Sequence, residues 1–393
     1  LDSIGQLNAS GDLEERNVIA KLPGNLLFGQ TLEEATPSQL MEELLLCWHS
    51  PSYPEFWKPF CEFVMHHNLN DIATTPPALL WTEDKLQHLK GTFLFDRIAE
   101  ERNNVRSIQT QYVKNHPDSE EPTTESIIAA LRLVEAYATK IIKNKQPRLV
   151  LAPIYSTLPC TAGKQTYVGY REKKNEANIW IDGEYEAHEH ILAPCSQLPD
   201  WKILELFGRY ELESRNLENT LPVDVFLRGY DKNYQKKVEL LKVHGLDMDN
   251  EYPFTDQLFY IDATGVVSAP LMSLLRMKHY TGKITDTKPD VTSQISQENE
   301  MQVYKEIVNV FTTRLHKSFT TDVHQDQQEL ERRSTLNDPQ KFTALAYRIS
   351  EKLLLDAAVR RADFLKQGVV EKTVHGVGHK QNEHVNANKD LIL

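Results

Sequence analysis

Three histidines near the C terminus, His375, His379 and His384, are the most obvious candidate metal ligands in the sequence. Imidazole nitrogen is a common zinc ligand, and three such groups can hold an ion. From Val374 onward, however, the sequence is polar and has no hydrophobic periodicity, which predicts a disordered tail. Because a segment without fixed geometry does not hold three ligands around one point, we expect no metal site here.

Thiols can ligate metals or attack substrates, and the sequence has four cysteines: Cys47, Cys61, Cys160 and Cys195. They are scattered and form no C-x-x-C pair, so the sequence contains neither a zinc knuckle nor a dithiol redox motif. No histidine lies beside Cys160 or Cys195 to activate either thiol as a nucleophile. We therefore expect reduced thiols in a cytoplasmic or nuclear protein.

The charge balance narrows the class of partner. The 393 residues carry a formal net charge of −12, and the pI is near 5.7. This charge argues against direct binding to nucleic acid and suits a basic or lysine-bearing protein partner better. The sequence has no signal-peptide pattern, and no apolar run approaches the ~18 residues of a membrane helix, so we expect no membrane partner.

The spacing of apolar residues in the first 142 positions predicts strands and then helices. Residues 1–30 alternate apolar and polar positions around glycines, which indicates strands and turns. Helical spacing begins at Pro37 and continues to about Arg106. A polar loop at 115–122 then precedes an amphipathic helix that Thr124 is expected to cap.

Strand patterns return after residue 142 and give way to long helices. A short buried strand is predicted at 149–155, where Pro153 stops it, and two strand-like pieces within 167–191 suggest a hairpin. A helical turn is predicted at 201–208. Four longer helices are predicted at 234–243, 270–279, 299–318 and 339–365, and they indicate a helical bundle.

One helical segment, residues 76–92, has a distinctive order of residues. The spacing predicts one short helix that Thr82 caps and Gly91 ends, next to Trp81 as a buried anchor. This order resembles the start of the helical insertion in SET-domain proteins of the Rubisco large-subunit methyltransferase class. Three further stretches resemble the same class in the same order, and they lie at 18–27, at 40–60 with Trp57 as a second expected anchor, and at 347–355.

The resemblance implies an α+β fold: a SET-like β-fold with a helical insertion, followed by an all-helical substrate-binding-type domain. The implied domains are an N-terminal part of the SET-like domain at 1–36, the helical insertion at 37–142, the C-terminal part of the SET-like domain at 143–220, a helical Rubisco-methyltransferase-type substrate-binding domain at 225–370, and a polar tail at 371–393.

The resemblance also implies an activity, the transfer of a methyl group from S-adenosylmethionine to a lysine of a protein. The family-equivalent cofactor positions are Lys140, Ser156, Pro159, Cys160, Phe207 and Gly208. Ser156 stands where the family has Asp, and Pro159 and Cys160 stand where it has the Asn-His pair that holds adenine. Lys140 stands in place of an arginine, as a point charge instead of a bidentate fork. The family's Gly-x-Gly strand would lie before Leu1.

The two tyrosines of the family's lysine channel are also missing, since their positions fall on Phe207 and near Cys195. Three explanations stay open: an error of register, residues omitted from the sequence, and real loss of the site. Under the first, Tyr155 or Tyr210 would be the catalytic hydroxyl. Core packing is the alternative role for these two tyrosines and for Cys160.

We expect a SET-like protein with a degenerate pocket that acts as a non-catalytic protein-binding or scaffold subunit without a cofactor. The alternative is an active S-adenosylmethionine-dependent protein-lysine N-methyltransferase that modifies a ribosomal protein, a translation factor, a histone or a similar protein. A third possibility, a helical protein unrelated to SET folds, would require helix at 149–192. The proline and β-branched residues of that region argue against it.

Overall fold

The computed structural model describes residues 17–32, 36–161, 165–182, 184–186, 188–194, 198–210, 216, 219–223, 233–246, 259–285 and 289–374. The residues before Asn17, Cys195 and the three histidines after Val374 lie outside this described part, so the predictions made for them are not tested. Within it, strands and helices are both present, as the α+β prediction requires.

Helices fill the region between the first strand and residue 138. They are α1 (Pro37–His49), α2 (Lys58–Thr74), α3 (Glu83–Leu86), α4 (Phe93–Asn115) and α5 (Thr124–Tyr137). Thr92 caps α4, because its hydroxyl accepts a hydrogen bond from the Phe95 N–H at 3.2 Å. Thr123, and not Thr124 as predicted, caps α5.

The segment around Trp81 is not the single capped helix that the sequence suggested. Thr82 makes no side-chain cap, and the chain tightens after α3 into a 3₁₀ turn at Gln87–Leu89. Gly91 does let the chain turn, since its φ of +92° lies in the region that glycine tolerates best. The first N–H groups of α3 therefore receive no hydrogen bond from the Thr82 side chain.

The described residues before Cys195 form seven strands. They are β1 (Val18–Pro23), β2 (Thr139–Lys143), β3 (Gln146–Val150), β4 (Cys160–Thr161), β5 (Gln165–Arg171), β6 (Glu176–Asp182) and β7 (Ala193–Pro194). The largest described sheet has the order β1-β6-β5, and β5 pairs antiparallel with β6 as the predicted hairpin. The strand predicted at 149–155 is observed as β3, which begins earlier, at Gln146, and ends at Val150, and Leu151 forms only an isolated bridge with Phe28.

The second half of the described chain is mainly helical. Its elements are α6 (Asp200–Phe207), β8 (Thr220–Pro222), α7 (Tyr234–Val243), β9 (Tyr260–Asp262), α8 (Ala269–His279), α9 (Gln297–Lys317), α10 (Val323–Leu330), α11 (Arg333–Leu336) and α12 (Pro339–Val374). The long helices α9 and α12 pack together and bury Val303, Ile307 and Phe311 of α9. The antiparallel β8-β9 pair was not predicted, because three residues give too short a pattern. The exact domain boundaries stay a prediction.

The two predicted tryptophan anchors differ in burial. Trp81 is 2% exposed, and its Nε1–H donates to the Pro76 carbonyl at 2.8 Å. Trp57 is only half-buried and packs edge-on against Phe28, with ring centroids 5.4 Å apart. The prediction of a buried anchor is therefore wrong for Trp57, because it lies at the N-cap of α2 beside an exposed neighbour, Phe56.

A disulfide joins Cys47 of α1 to Cys61 of α2, and both cysteines are buried. The expectation of reduced thiols is wrong for these two residues. They lie 14 positions apart in the sequence, and only the packing of α1 on α2 brings their side chains together.

No group of three or more His, Cys, Asp or Glu side chains among the described residues could hold a metal ion. None of the described helices combines the length and the apolar character that crossing a membrane requires.

Candidate functional site

The turn after β3 carries Ser156, which stands at the family's Asp position, and the hydroxyl groups of the turn donate to nearby backbone carbonyls. Ser156 lies in a 3₁₀ turn at Tyr155–Thr157 and is 1% exposed. Its Oγ donates to the Ala152 carbonyl at 3.0 Å. The Thr157 hydroxyl likewise donates to the Ile154 carbonyl, at 2.7 Å. Both hydroxyl protons are therefore used to hold the local backbone.

Tyr155 of this turn packs against Tyr137, the last residue of α5. The rings of Tyr155 and Tyr137 meet edge to face, with centroids 5.9 Å apart. The Tyr137 hydroxyl donates to the Leu158 carbonyl at 2.7 Å, which ties the end of α5 to the turn. Burial raises the pKa of Tyr155 to about 12, so its phenol stays protonated at neutral pH. A neutral, packed phenol is suited to the core and poorly suited to act as a base.

Pro159 follows the turn, and Cys160 is the first residue of β4, which pairs parallel with β7. The Pro159 carbonyl accepts a hydrogen bond from the Ala193 N–H at 2.9 Å. Proline has no N–H to donate, so this residue offers neither a side-chain amide nor a backbone donor. The backbone of Cys160 pairs with Ala193, and the Cys160 side chain lies outside the described part.

Phe207 and Gly208 end α6 and pack tightly. Phe207 is 2% exposed, and the Arg132 guanidinium carbon lies 4.4 Å from the centre of its ring. Gly208 has a φ of +65° and follows the helix as its C-cap. A Cβ at this position would lie 2.2 Å from the Pro76 carbonyl oxygen. Backbone geometry and close packing explain this glycine without any cofactor.

The other two predicted site residues lie elsewhere. Lys140 is exposed on β2. Tyr210 packs its ring on Tyr347 of α12, with centroids 6.1 Å apart. Burial, with a smaller contribution from the Asp200 carboxylate, raises the pKa of Tyr210 to about 12. Tyr155 and Tyr210 thus pack against different helices, α5 and α12.

A charged cluster that the sequence reasoning missed lies beside Phe207. The Asp71 carboxylate of α2 accepts hydrogen bonds from Arg132 of α5 through Oδ2 and from Arg209 through Oδ1. Nε and Nη1 of Arg132 are buried without a hydrogen-bond partner in the described chain. One signal was present in the sequence: Arg132 is the only charged residue in the apolar run from Ile127 to Val134.

Part of this chain is similar in sequence to a known protein family. Residues 229–355 match the family model described as Rubisco LSMT substrate-binding. A sequence comparison with curated proteins gives no match.

Three solved structures are similar to nearly the whole chain. The SET domain of LSMT bound to lysine and AdoHcy matches with a TM-score of 0.69 and 16% identity, covering 93% of this chain and 86% of that chain. The SET domain of LSMT bound to methyllysine and AdoHcy, and Rubisco LSMT bound to AdoMet, each match with a TM-score of 0.66 and 15% identity, covering 96% of this chain and 90% of theirs. The resemblance to the Rubisco LSMT class and the SET-like α+β fold are thus confirmed.

Proposed function

We propose that this chain, which has the SET-like fold of Rubisco LSMT and a substrate-binding domain of the same class, is a non-catalytic protein-binding or scaffold subunit. The observation that carries the proposal is the turn at Tyr155–Thr157. There the Ser156 and Thr157 hydroxyl groups donate to the backbone carbonyls of Ala152 and Ile154, just before the turn. These side chains stabilise the fold and leave no hydroxyl proton for a cofactor.

The residues at the family-equivalent positions do not fit S-adenosylmethionine. A buried adenine needs paired hydrogen-bond partners, and each missing partner costs about 1–3 kcal/mol. Pro159 has no donor, and its carbonyl already accepts the Ala193 N–H. Lys140, which replaces the arginine expected to reach the cofactor's carboxylate, is exposed on β2. We therefore derive no methyl-transfer step for this chain.

The residues at the positions of the family's lysine channel give a second reason for proposing a non-catalytic role. Phe207 has no hydroxyl group, and its ring is covered by the Arg132 guanidinium. Tyr155 and Tyr210, the two candidates for a channel hydroxyl, each have a pKa raised to about 12, mainly by burial. Methyl transfer needs a deprotonated amine aligned with the methyl donor, and packed apolar side chains do not provide such an arrangement.

The partner we propose is a protein. The domain at 229–355 belongs to a family described by substrate binding, and Rubisco LSMT has been solved with lysine and with methyllysine. With a net charge of −12, the chain is suited to a basic or lysine-bearing partner, and we propose no direct contact with nucleic acid or with a membrane.

Location in the cytoplasm or the nucleus stays a prediction. The Cys47–Cys61 disulfide weighs against it, because structural disulfides form and persist mainly in oxidising compartments.

The alternative is an active protein-lysine N-methyltransferase with a divergent pocket, acting on a ribosomal protein, a translation factor, a histone or a similar protein. The similar structures bound to AdoMet and AdoHcy favour it. Calorimetric titration of the full chain with S-adenosylmethionine separates the two proposals. We expect no heat of binding at micromolar concentrations and no transfer of labelled methyl groups to a panel of basic proteins. Micromolar binding together with labelling of any protein would establish the alternative.

A further inference from the structure

Asp71 is shared by two arginines, one of which is buried and incompletely paired. The Arg132 side chain is 3% exposed, and two of its three nitrogens, Nε and Nη1, have no hydrogen-bond partner among the described residues. Buried donors without acceptors are uncommon, because each costs free energy comparable to a lost hydrogen bond. The arrangement therefore calls for an additional acceptor.

The charges of the cluster point to the same need. Among the residues that the structure describes, two guanidinium groups face one carboxylate, which leaves one excess positive charge in that set. His67 lies near all three residues, and burial lowers the pKa of its imidazole, so it adds no charge at neutral pH. One further monoanion would balance the cluster.

Access to the cluster is through Arg209. Its side chain is 39% exposed, and that of Asp71 is 23% exposed, so both reach the surface. Phe207 closes the inner side by stacking under Arg132. A ligand can therefore reach Arg209 directly and Arg132 only through a movement of Asp71.

We propose that Arg209, Asp71 and Arg132 form a binding site for a carboxylate ligand. The ligand's carboxylate binds the exposed donors of Arg209, and Asp71 moves fully onto Arg132. There both Asp71 oxygens can accept from one edge of the guanidinium, Nη2 with either Nε or Nη1, in the bidentate geometry that arginine favours. Each arginine then has its own carboxylate. The site needs neither a methyl donor nor a lysine, so it goes beyond the proposed function.

The chemistry favours a carboxylate over a phosphate. The cluster already holds one carboxylate between its guanidiniums, and the excess of one positive charge among its described residues matches a monoanion. A phosphate group carries more negative charge than the cluster can balance. The carboxylate can come from a free amino acid or from a glutamate of a peptide.

Nuclear magnetic resonance of the arginine Nε–H groups tests the site directly. The full chain is titrated with free L-glutamate and with a blocked peptide that contains one glutamate, while glutamine and the matching glutamine peptide are the neutral controls. We expect saturable shifts of the Arg209 and Arg132 signals with a dissociation constant of about 1 mM for one exposed ion pair. The arm that binds more tightly identifies the source of the carboxylate.

Three variants make the test specific. Arg209→Gln, at a half-exposed position, should abolish the saturable shift at Arg132. Arg106→Gln is the matched control, because Arg106 is an exposed arginine whose guanidinium donates to the Asn103 side chain, and binding should not change. Asp71→Asn removes the competing carboxylate and should tighten binding about tenfold.

Several results would overturn the proposal. These are no saturable shift in the wild-type chain, an unchanged shift in Arg209→Gln, or inorganic phosphate binding as tightly as glutamate. Asp71→Asn leaves a buried arginine without its partner, so circular dichroism checks its fold. If that variant unfolds, Arg209→Gln alone decides the outcome.

Discussion

The Glu351 carboxylate of α12 accepts hydrogen bonds from the Phe93 N–H, the first residue of α4, at 3.0 and 2.9 Å. The carboxylate is 1% exposed and also accepts bonds from Arg314 and from the Tyr347 hydroxyl, both at 2.9 Å. A negative group at a helix N terminus is favoured by the helix dipole. This one side chain thus fixes the C-terminal helix to the helical region before residue 138.

Glu351→Gln should lower the free energy of unfolding by about 2–4 kcal/mol, because it removes the charge that pairs with Arg314 and caps α4. Denaturation by urea measures the change. Glu329→Gln is the control, since Glu329 pairs with Lys341 and Arg332 at a more exposed site and should cost no more than about 1 kcal/mol. Equal losses of unfolding free energy in the two variants would show that the buried Glu351 network stabilises the fold no more than the exposed Glu329 ion pairs do.

Asp200 should make stability depend on pH. Burial raises its pKa to about 6 from 3.8, although hydrogen bonds from Asn216 and Ser350 oppose the shift. Because the folded-state pKa is the higher one, the stabilisation is fully present below about pH 3.8 and is lost as pH rises through about 6. The loss amounts to about 3 kcal/mol at most, at 1.36 kcal/mol per unit.

Urea denaturation between pH 4 and pH 7 gives the measurement, with Asp200→Asn as the comparison. The free energy of unfolding of the wild-type chain should fall with rising pH relative to that of the variant, which has no carboxyl group to titrate. Parallel curves for the two proteins would exclude Asp200 as the source of the pH dependence.

The two tryptophans offer a matched test of burial. Trp81→Ala should cost about 3–5 kcal/mol of unfolding free energy, as other large core truncations do, because the ring is 2% exposed and its N–H is hydrogen-bonded. Trp57→Ala should cost less, since that ring is half-buried. Thermal melting of both variants checks the order, and a neutral Trp81→Ala would mean that Trp81 lies on the surface.

The Cys47–Cys61 disulfide leads to two expectations, one about stability and one about thiol reactivity. Bridging residues separated by 14 positions stabilises a chain by about 3 kcal/mol, so Cys47→Ala with Cys61→Ala should lose about that much. The protein is unfolded without reductant, its free thiols are alkylated, and peptide mapping identifies the modified cysteines. We expect neither Cys47 nor Cys61 to be modified. Alkylation of both residues without reductant would contradict the disulfide and restore the prediction of reduced thiols.

The sequence predicted best the elements whose apolar spacing is regular. The helix predicted at 234–243 is observed as α7 (Tyr234–Val243), and the 167–191 hairpin is observed as β5 and β6. Short elements such as β8 and β9 carry too few residues to give a period. The spacing of apolar residues is therefore sufficient to predict an element only where the element is long enough for the spacing to repeat.

Contacts between distant residues could not be predicted in the same way. Arg132 lies 61 positions from Asp71, and Arg209 lies 138 positions from it, so only the packing of α2, α5 and the end of α6 brings them together. The pairing of Cys47 with Cys61 depends in the same manner on how α1 meets α2. The family resemblance supplied the fold, but it directed attention to Lys140 and Gly208, whose surroundings are an exposed strand and a packed helix end.

The last prediction concerns repair of the pocket. Pro159→Asn with Cys160→His would restore the residue types that the family uses to hold adenine, yet we expect no methyl transfer in this double variant. Phe207 still lacks a hydroxyl group, and Ser156 still bonds to the Ala152 carbonyl. Labelled S-adenosylmethionine with basic protein substrates gives the measurement, and circular dichroism confirms folding. Robust methyl transfer would mean that the lysine channel is intact and that the register assigned between Pro153 and Phe207 is wrong.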